Sequence, residues 1–290
     1  MTKNNLLSEQ MVYTGGSKTP THLHLCVYNG TDIECHNGKS ISELQDFLKD
    51  GAVNWIQIHG LQNTECVQQV CRHFGIDFLI TQDILNANHL TKIEEHENYN
   101  LAILKLPNPN ASQHYEPQQL SIVQGSNFLI TFSESETHFF DDIQKAVEKN
   151  VLKIRNRQSD FLLSVILNSV MASFMSSLSD MEDNLDDLEE ALLSPEPENT
   201  PGIDIIQDYR RDYRMIKKSI YPLKEEINRL LHADNVLIHK NTRPFFSDVN
   251  DHLLFVLQEL DECRDILNAL VDLYLSNNDR RMNNIMRQLT

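Results

Sequence analysis

The chain has 290 residues, room for one large or two ordinary domains with ample core. Its 42 acids against 25 bases leave a formal charge of −17, and no basic stripe able to track a phosphate backbone occurs, so nucleic acid is excluded as a partner. The five cysteines, at 26, 35, 66, 71 and 263, include no CxxC and are odd in number, the usage of a reducing compartment in which thiols serve as small core residues. Residues 1–16 lack the basic and apolar regions of a secretory signal, and no uninterrupted apolar run of 18 residues occurs, so no membrane span is expected within these residues.

Short apolar segments at 22–28, 53–59, 100–106, 120–124 and 128–132 read as strands, with helical patterns at 42–48, 64–74, 82–86 and 137–148 between them. Ser40 followed by Glu43 predicts a capping box. Val67, Val70, Cys71 and Phe74 keep the i, i+3, i+4, i+7 spacing of a core-facing helix. Cys66 and Cys71, five apart, are expected on different faces of it. The alternation predicts an α/β/α mixed-sheet domain over residues 1–155.

Helix follows. Over 159–193, Phe161, Val165, Ala172, Met175, Met181, Leu185, Leu188 and Leu192 share one face. Three prolines in 194–202 mark a hairpin loop. Ile206, Tyr209, Tyr213, Ile216, Ile220, Leu223, Ile227 and Leu230 then alternate three and four, interrupted by Pro222, which should kink that helix. Residues 156–243 thus read as a long antiparallel helical hairpin, and 244–290 as a stalk helix behind Pro244, in a chain of α+β class.

The stalk, read from Asp248 onward and roughly 60 Å long, has two faces in succession. Val249, Leu253, Val256, Leu260, Cys263, Leu267, Leu270 and Tyr274 form an a/d seam. A polar stripe of Asp272, Ser276, Asp279, Asn283, Met286 and Thr290 then takes over. The seam is long enough to predict burial by other copies of the chain, with the stripe facing a symmetry axis.

Other constellations carry two readings each. His22, His24 and Cys26 share one strand face, where two imidazoles and a thiolate are zinc ligands lacking an evident fourth, or simply half-buried residues. The seven acids between Asp180 and Glu190 form a solvated helix face or loosely attract divalent cations. The acidic segment 92–99 reads as a solvated turn. No P-loop, GxSxG, GxGxxG or Cys/His nucleophile pairing occurs, so no catalytic site is expected.

Several segments together resemble the CorA family of magnesium transporters. They are Gln82-Asp-Ile-Leu-Asn86, Lys92-Ile-Glu-Glu-His-Glu-Asn-Tyr99 with Ile103-Leu-Lys105, and Gln119-Leu-Ser-Ile122 before Phe128-Leu-Ile-Thr-Phe132. Further on come Leu188-Glu-Glu190, Ile220-Tyr-Pro-Leu223 with Asn228-Arg-Leu-Leu231, Asp248-Val-Asn-Asp-His252, and Arg264-Asp-Ile266 through Leu270-Val-Asp-Leu-Tyr-Leu-Ser276. The resemblance runs from about Val53 to Thr290. It implies a homopentameric divalent-cation channel of the inner membrane, with these residues on its cytosolic side. It also implies two membrane helices and a Gly-Met-Asn loop beyond Thr290, so the segment is read as the soluble part of a transporter.

Residue by residue, the resemblance places Asp83 and Asp248 at the contact between neighbouring subunits, where inner Mg2+ binds and holds the channel closed. Carboxylates suit this hard, partly hydrated ion. Gln82 stands where relatives often carry Glu, and Ser173 where some carry another acid, which implies weaker binding. Without the resemblance, Asp83 reads as a helix cap and Asp248 as a first-turn acid facing the helix dipole. Asp272, Asn283, Met286 and Leu289 map onto the inner pore, and Arg280, Arg281 and Arg287 fit the cytosolic flank of a membrane helix. Co2+, Ni2+ and Zn2+ are alternative ions, a ZntB-like zinc transporter is a second reading, and a soluble helical scaffold is a third.

Overall fold

The computed structural model describes residues 10–107, 115–193, 202–232 and 235–289, the last two without their side chains. Most of the predicted hairpin loop at 194–202 and the Thr290 end of the stripe lie outside the described residues, as does the side chain of Leu289.

Among the described residues seven strands form one mixed sheet, in the order β2-β1-β3-β7-β6-β5-β4. They are β1 His22–Tyr28, β2 Ile33–Gly38, β3 Val53–His59, β4 Lys92–Glu95, β5 Asn100–Pro107, β6 Pro117–Gln124 and β7 Phe128–Ser133. The central β3–β7 pairing is parallel and the flanking ones antiparallel. Both central strands are buried along their whole length, as strands covered on both faces must be. One face carries α1 (Ile41–Leu44), α2 (Thr64–His73) and α3 (Phe78–Leu85) over Leu25, Ile56, Ile58 and Ile130. The other carries α4 (Asp141–Glu148) and α5 (Ser159–Leu193) over Trp55, Ile122 and Leu129.

The five expected strands are present, and β2 and β4 are additions. Both are sheet edges with polar sequences, IECHNG and KIEE, because an edge strand need not alternate apolar residues to pair on one side. Part of the segment expected as a solvated turn is therefore β4. The turn expected at 82–86 is the end of α3, whose consecutive apolar residues Phe78 to Ile80 hide any period. The capping box at Ser40 does not form: the Glu43 carboxylate accepts the N–H of Lys39 at 2.9 Å, and Ser40 Oγ meets Ser42 Oγ. Cys66 and Cys71 are both buried, since α2 packs against α1 and α3 as well as the sheet.

In α5 the expected face holds at Phe161 and from Met181 onward but not between them. Ile166, Leu167, Val170, Met171, Phe174 and Leu178 are buried there, while Ala172 is exposed and Val165 and Met175 are half-buried. The N-terminal half lies between the sheet and the last helix, so it is apolar on two sides and its seam is ambiguous. By length and composition alone α5 could cross a membrane; in this fold it is the core helix. The chain breaks at Pro222, as its missing N–H predicts, between α6 (Ile203–Ile220) and α7 (Leu223–His232).

The last helix, α8 (Arg243–Leu289), has 47 residues and extends about 70 Å. It starts one residue before the expected bound of 244 and five before Asp248, where the seam reading began, with Pro244 in its first turn, where an N–H would lack a partner anyway. The seam from Val249 to Leu270 is at most 2% exposed within a single chain, sealed by α5, α6 and α7. This overturns the expectation that the seam needs further copies of the chain to bury it.

Candidate cation-sensing residues and the stalk stripe

Asp83 sits near the end of α3, where the chain turns back into β4 and brings its residues alongside. Lys92 Nζ donates to Asp83 Oδ2 at 2.8 Å and also pairs with Glu94 at 2.9 Å. His89 Nε2 lies 3.4 Å from Asp83 Oδ1. Partial burial, at 30% side-chain exposure, raises the carboxyl's proton affinity; hydrogen bonds from His89 and Lys92 outweigh it and hold Asp83 below the usual carboxylate range. Reciprocally, the bond to Asp83 lifts His89, and burial of Lys92 is outweighed by its two acids, which raise it. Asp83 is thus a charge already neutralised by the chain. Beside it, Gln82 Nε2 is buried with no hydrogen-bond partner.

A second lysine braces the turn after α3. Lys105 Nζ donates to the carbonyl of Ala87 at 2.7 Å and to Gln119 Oε1 at 2.9 Å, and the Gln119 amide in turn caps the carbonyl of Ile84 at 3.1 Å. Burial brings Lys105 down to about 8.

Asp248, in the second turn of α8, is open to solvent at 56% side-chain exposure. Asn168 of α5 donates to its Oδ2 at 3.3 Å, and His252, one turn on, lies 3.8 Å from the same oxygen while bonding Asn168 Oδ1 at 2.8 Å. Ser173 is committed to its own helix, donating to the carbonyl of Ser169 at 3.0 Å. Asp83 and Asp248 share no partner, and among the described residues no three His, Cys, Asp or Glu side chains are placed to hold a metal ion. One chain supplies one carboxylate at each place.

Beyond Leu270, α8 loses its cover. Asn277 makes a last clasp, donating to the carbonyl of Leu192 at the end of α5 at 2.7 Å. Asp272, Ser276, Asp279, Asn283 and Met286 are exposed, as the stripe predicts. Leu275, Met282 and Ile285, off that stripe, are more than half exposed as well, so the bare surface is apolar on other sides.

The remaining candidates disperse. His22 stacks on His59 at 5.1 Å, His24 Nδ1 bonds Asn37 at 2.7 Å, and Cys26 is buried under α4. The acids of 180–190 lie on the outer face of α5, Glu182 alone among them half-buried. The partners of the two aspartates went unread in sequence. His252 had a signal, four residues after Asp248 on a helix; His89, Lys92 and Asn168 come into place only through tertiary packing.

A sheet with helices on both faces packs against a layer of long helices, and one helix runs on beyond them. The family model described as CorA-like Mg2+ transporter protein matches residues 50–290, and the chain belongs to that family. The cobalt/magnesium transport protein CorA of Thermotoga maritima is 29% identical over 290 residues, covering 99% of this chain and 82% of that protein. The complete CorA magnesium transporter structure from Methanocaldococcus jannaschii shares the fold, with a TM-score of 0.74 at 22% identity over 91% of this chain and 80% of that one. So does full-length CmaX, with a TM-score of 0.79 at 15% identity, covering 95% of this chain and 83% of that one. The ZntB cytoplasmic domain of Vibrio parahaemolyticus follows at 0.68 and 12% identity, over 89% and 99%. Family membership sets aside the scaffold reading: this is a chain of an ion transporter, not of an enzyme.

Proposed function

We propose that these residues form the cytosolic regulatory and inner-pore portion of a homopentameric Mg2+ transporter of the inner membrane. In this reading residues 1–155 sense the ion, 156–243 form the bracing hairpin, and 244–290 are the stalk that leads to the bilayer. The observation that carries it is the change along α8, sealed by its own chain as far as Leu270 and exposed from Asn278 on, with Asp272, Asn283 and Met286 on one stripe. Leu289 belongs to the same proposed pore lining.

The lone carboxylates at Asp83 and Asp248 support sensing between subunits. Mg2+ takes six oxygen ligands and keeps several waters, so a neighbour's carboxylate and water complete each site. When the ion leaves, the facing acids repel and bias the assembly toward opening. Lys92 and His89 occupy Asp83 in the absence of an ion, so affinity is modest. Binding confined to the folded assembly raises its stability by about 1.4 kcal/mol at ten times Kd. Thermal melting with and without millimolar Mg2+ tests this. A rise largely removed in Asp83→Ala/Asp248→Ala is expected, and an equal rise in the double variant overturns it.

A zinc-carrying reading has its own support: an imidazole stands beside each carboxylate, His89 at Asp83 and His252 at Asp248. Imidazole with carboxylate suits Zn2+ better than Mg2+. Melting shifts larger with Zn2+ than with Mg2+, and lost in His89→Ala/His252→Ala, would favour it. Co2+ and Ni2+ enter the same titration.

A further inference from the structure

The hairpin of β1 and β2 closes one edge of the sheet, and its register sets Cys26 directly opposite Cys35, with His24 opposite Asn37. Strand alternation puts all four side chains on one face, the one that α4 covers. Both cysteines are free thiols. Cys26 is sealed beneath Phe140, Ile143 and Val147, whereas Cys35, on the outermost strand, is exposed. Opposed residues of an antiparallel pair have Cα atoms about 4.5–5.5 Å apart, within the span of roughly 4.4–6.8 Å that a disulfide bridges.

The two thiols are also chemically unequal. The neighbouring Cys26 thiol and then the His24 imidazole hold Cys35 down at about 5. Cys26 is pushed far up by its Cys35 neighbour and by burial. His24 is fixed by its 2.7 Å contact with Asn37, and Glu148 of α4 opposes the Cys35 thiolate. Low proton affinity, exposure and a second thiol in reach are the marks of a redox-sensing cysteine. In a reducing compartment, a disulfide is formed for a purpose and then undone.

We propose that Cys35 is a peroxide-reactive thiolate and Cys26 its resolving partner, a reversible modification site at the sheet edge. The Cys35 thiolate attacks one oxygen of hydrogen peroxide; the O–O bond breaks, sulfur is oxidised to the sulfenic acid, and hydroxide leaves and is protonated to water by the buffer acid. Cys26 sulfur then attacks Cys35 sulfur, forming the S–S bond and breaking S–O. The departing hydroxyl carries away the Cys26 proton as water. A dithiol reductant restores both thiols by exchange, returning two electrons.

The single tryptophan, Trp55, lies directly opposite Cys26 on β3 and is fully buried, so it reports on this chemistry. The purified chain is treated with hydrogen peroxide, remaining thiols are blocked with maleimide, and non-reduced digests are read by mass spectrometry. Expected are a Cys26–Cys35 linked peptide and a fall in Trp55 emission, both reversed by dithiothreitol and both lost in Cys35→Ser. Cys26→Ala should stop at a Cys35 sulfenic acid that dimedone traps. Alkylation of Cys35 by iodoacetamide should hold its full rate as pH falls to 7, whereas an ordinary thiol of pKa about 8.5 falls more than tenfold below its own high-pH rate there; His24→Ala should shift the Cys35 profile to higher pH. The proposal is overturned by a Cys35 inert to peroxide in chain of unchanged circular dichroism. It is equally overturned by a disulfide to Cys66, Cys71 or Cys263, or by stoichiometric Zn2+ retention that shields both thiols.

Discussion

The two halves of α8 share one continuous backbone and contrast in everything around it. From Val249 to Leu270 its seam is closed by α5, α6 and α7; from Leu275 onward its described side chains are exposed, apart from the half-buried Asn277 that clasps the end of α5. Helix propensity does not separate them, since neither half contains an interior Gly or Pro after Pro244. Tertiary cover does. The first half is part of what makes the chain fold, and the second is a surface the fold holds out for something else.

Truncating one side chain in each half tests that division most strongly. Leu260→Ala should cost about 2–5 kcal/mol in urea unfolding, the usual range for an emptied core site. Ile285→Ala should stay within about 0.5 kcal/mol in the isolated chain. If the tail variant costs as much as the seam variant, the tail is covered and the contrast fails. If it costs nothing in the isolated chain and weakens association in light scattering, the contrast sharpens into fold against assembly.

Charge placed on the bare half comes next. In a transport-competent assembly, Met286→Asp would ring the stripe with added carboxylates, and a like-signed ring at a narrow passage concentrates cations. Cation entry should rise by roughly tenfold. Asn284→Asp, exposed but about a third of a turn off the stripe, should leave flux unchanged. Equal effects at both positions would reduce the stripe to a generally charged surface. Unchanged flux in Met286→Asp would remove it from the pore.

How much of this was legible in the sequence follows the same division. The seam from Val249 to Leu270 could be read because one helix face met one set of partners, and a single period survived. The N-terminal half of α5 could not, because cover on two sides makes Leu163, Ile166, Leu167 and Val170 apolar in succession. β2 and β4 were invisible as sheet edges, where pairing on one side leaves no alternation. At the candidate sites the aspartates themselves were found through family resemblance, not periodicity. Their hydrogen-bond partners were not, because Lys92 reaches Asp83 across the turn from α3 to β4 and Asn168 reaches Asp248 from another helix. The seam also misled. Its length suggested other copies, when α5, α6 and α7 of the same chain already close it.

The smallest expected effect contrasts the sealed and open sides of sensing itself, at Asp83. His89 is raised by its bond to Asp83, so that pair stabilises the fold fully below the ordinary imidazole value of about 6.5 and loses its contribution as pH climbs through the raised value. Asp83 is lowered, so its own contribution is present above the ordinary carboxylate value and fails only as pH falls through the lowered one. Among the groups that bond Asp83, the histidine is therefore the one that changes as pH climbs above the ordinary imidazole value. Its deprotonation frees Asp83 Oδ1 for an incoming cation, while Lys92, itself raised, keeps Oδ2. Mg2+ stabilisation should grow with pH by a few-fold in affinity, no more, because one competitor leaves and one remains. Lys105, at about 8, titrates in the same window but bonds Ala87 and Gln119, so His89→Ala tells the two apart. That variant should bind Mg2+ at pH 6 as the parent does at pH 8.5 and show a flat profile. Lys92→Met should raise affinity at every pH. Melting curves with and without Mg2+ that stay parallel across the range would mean that the ion does not meet Asp83 at all.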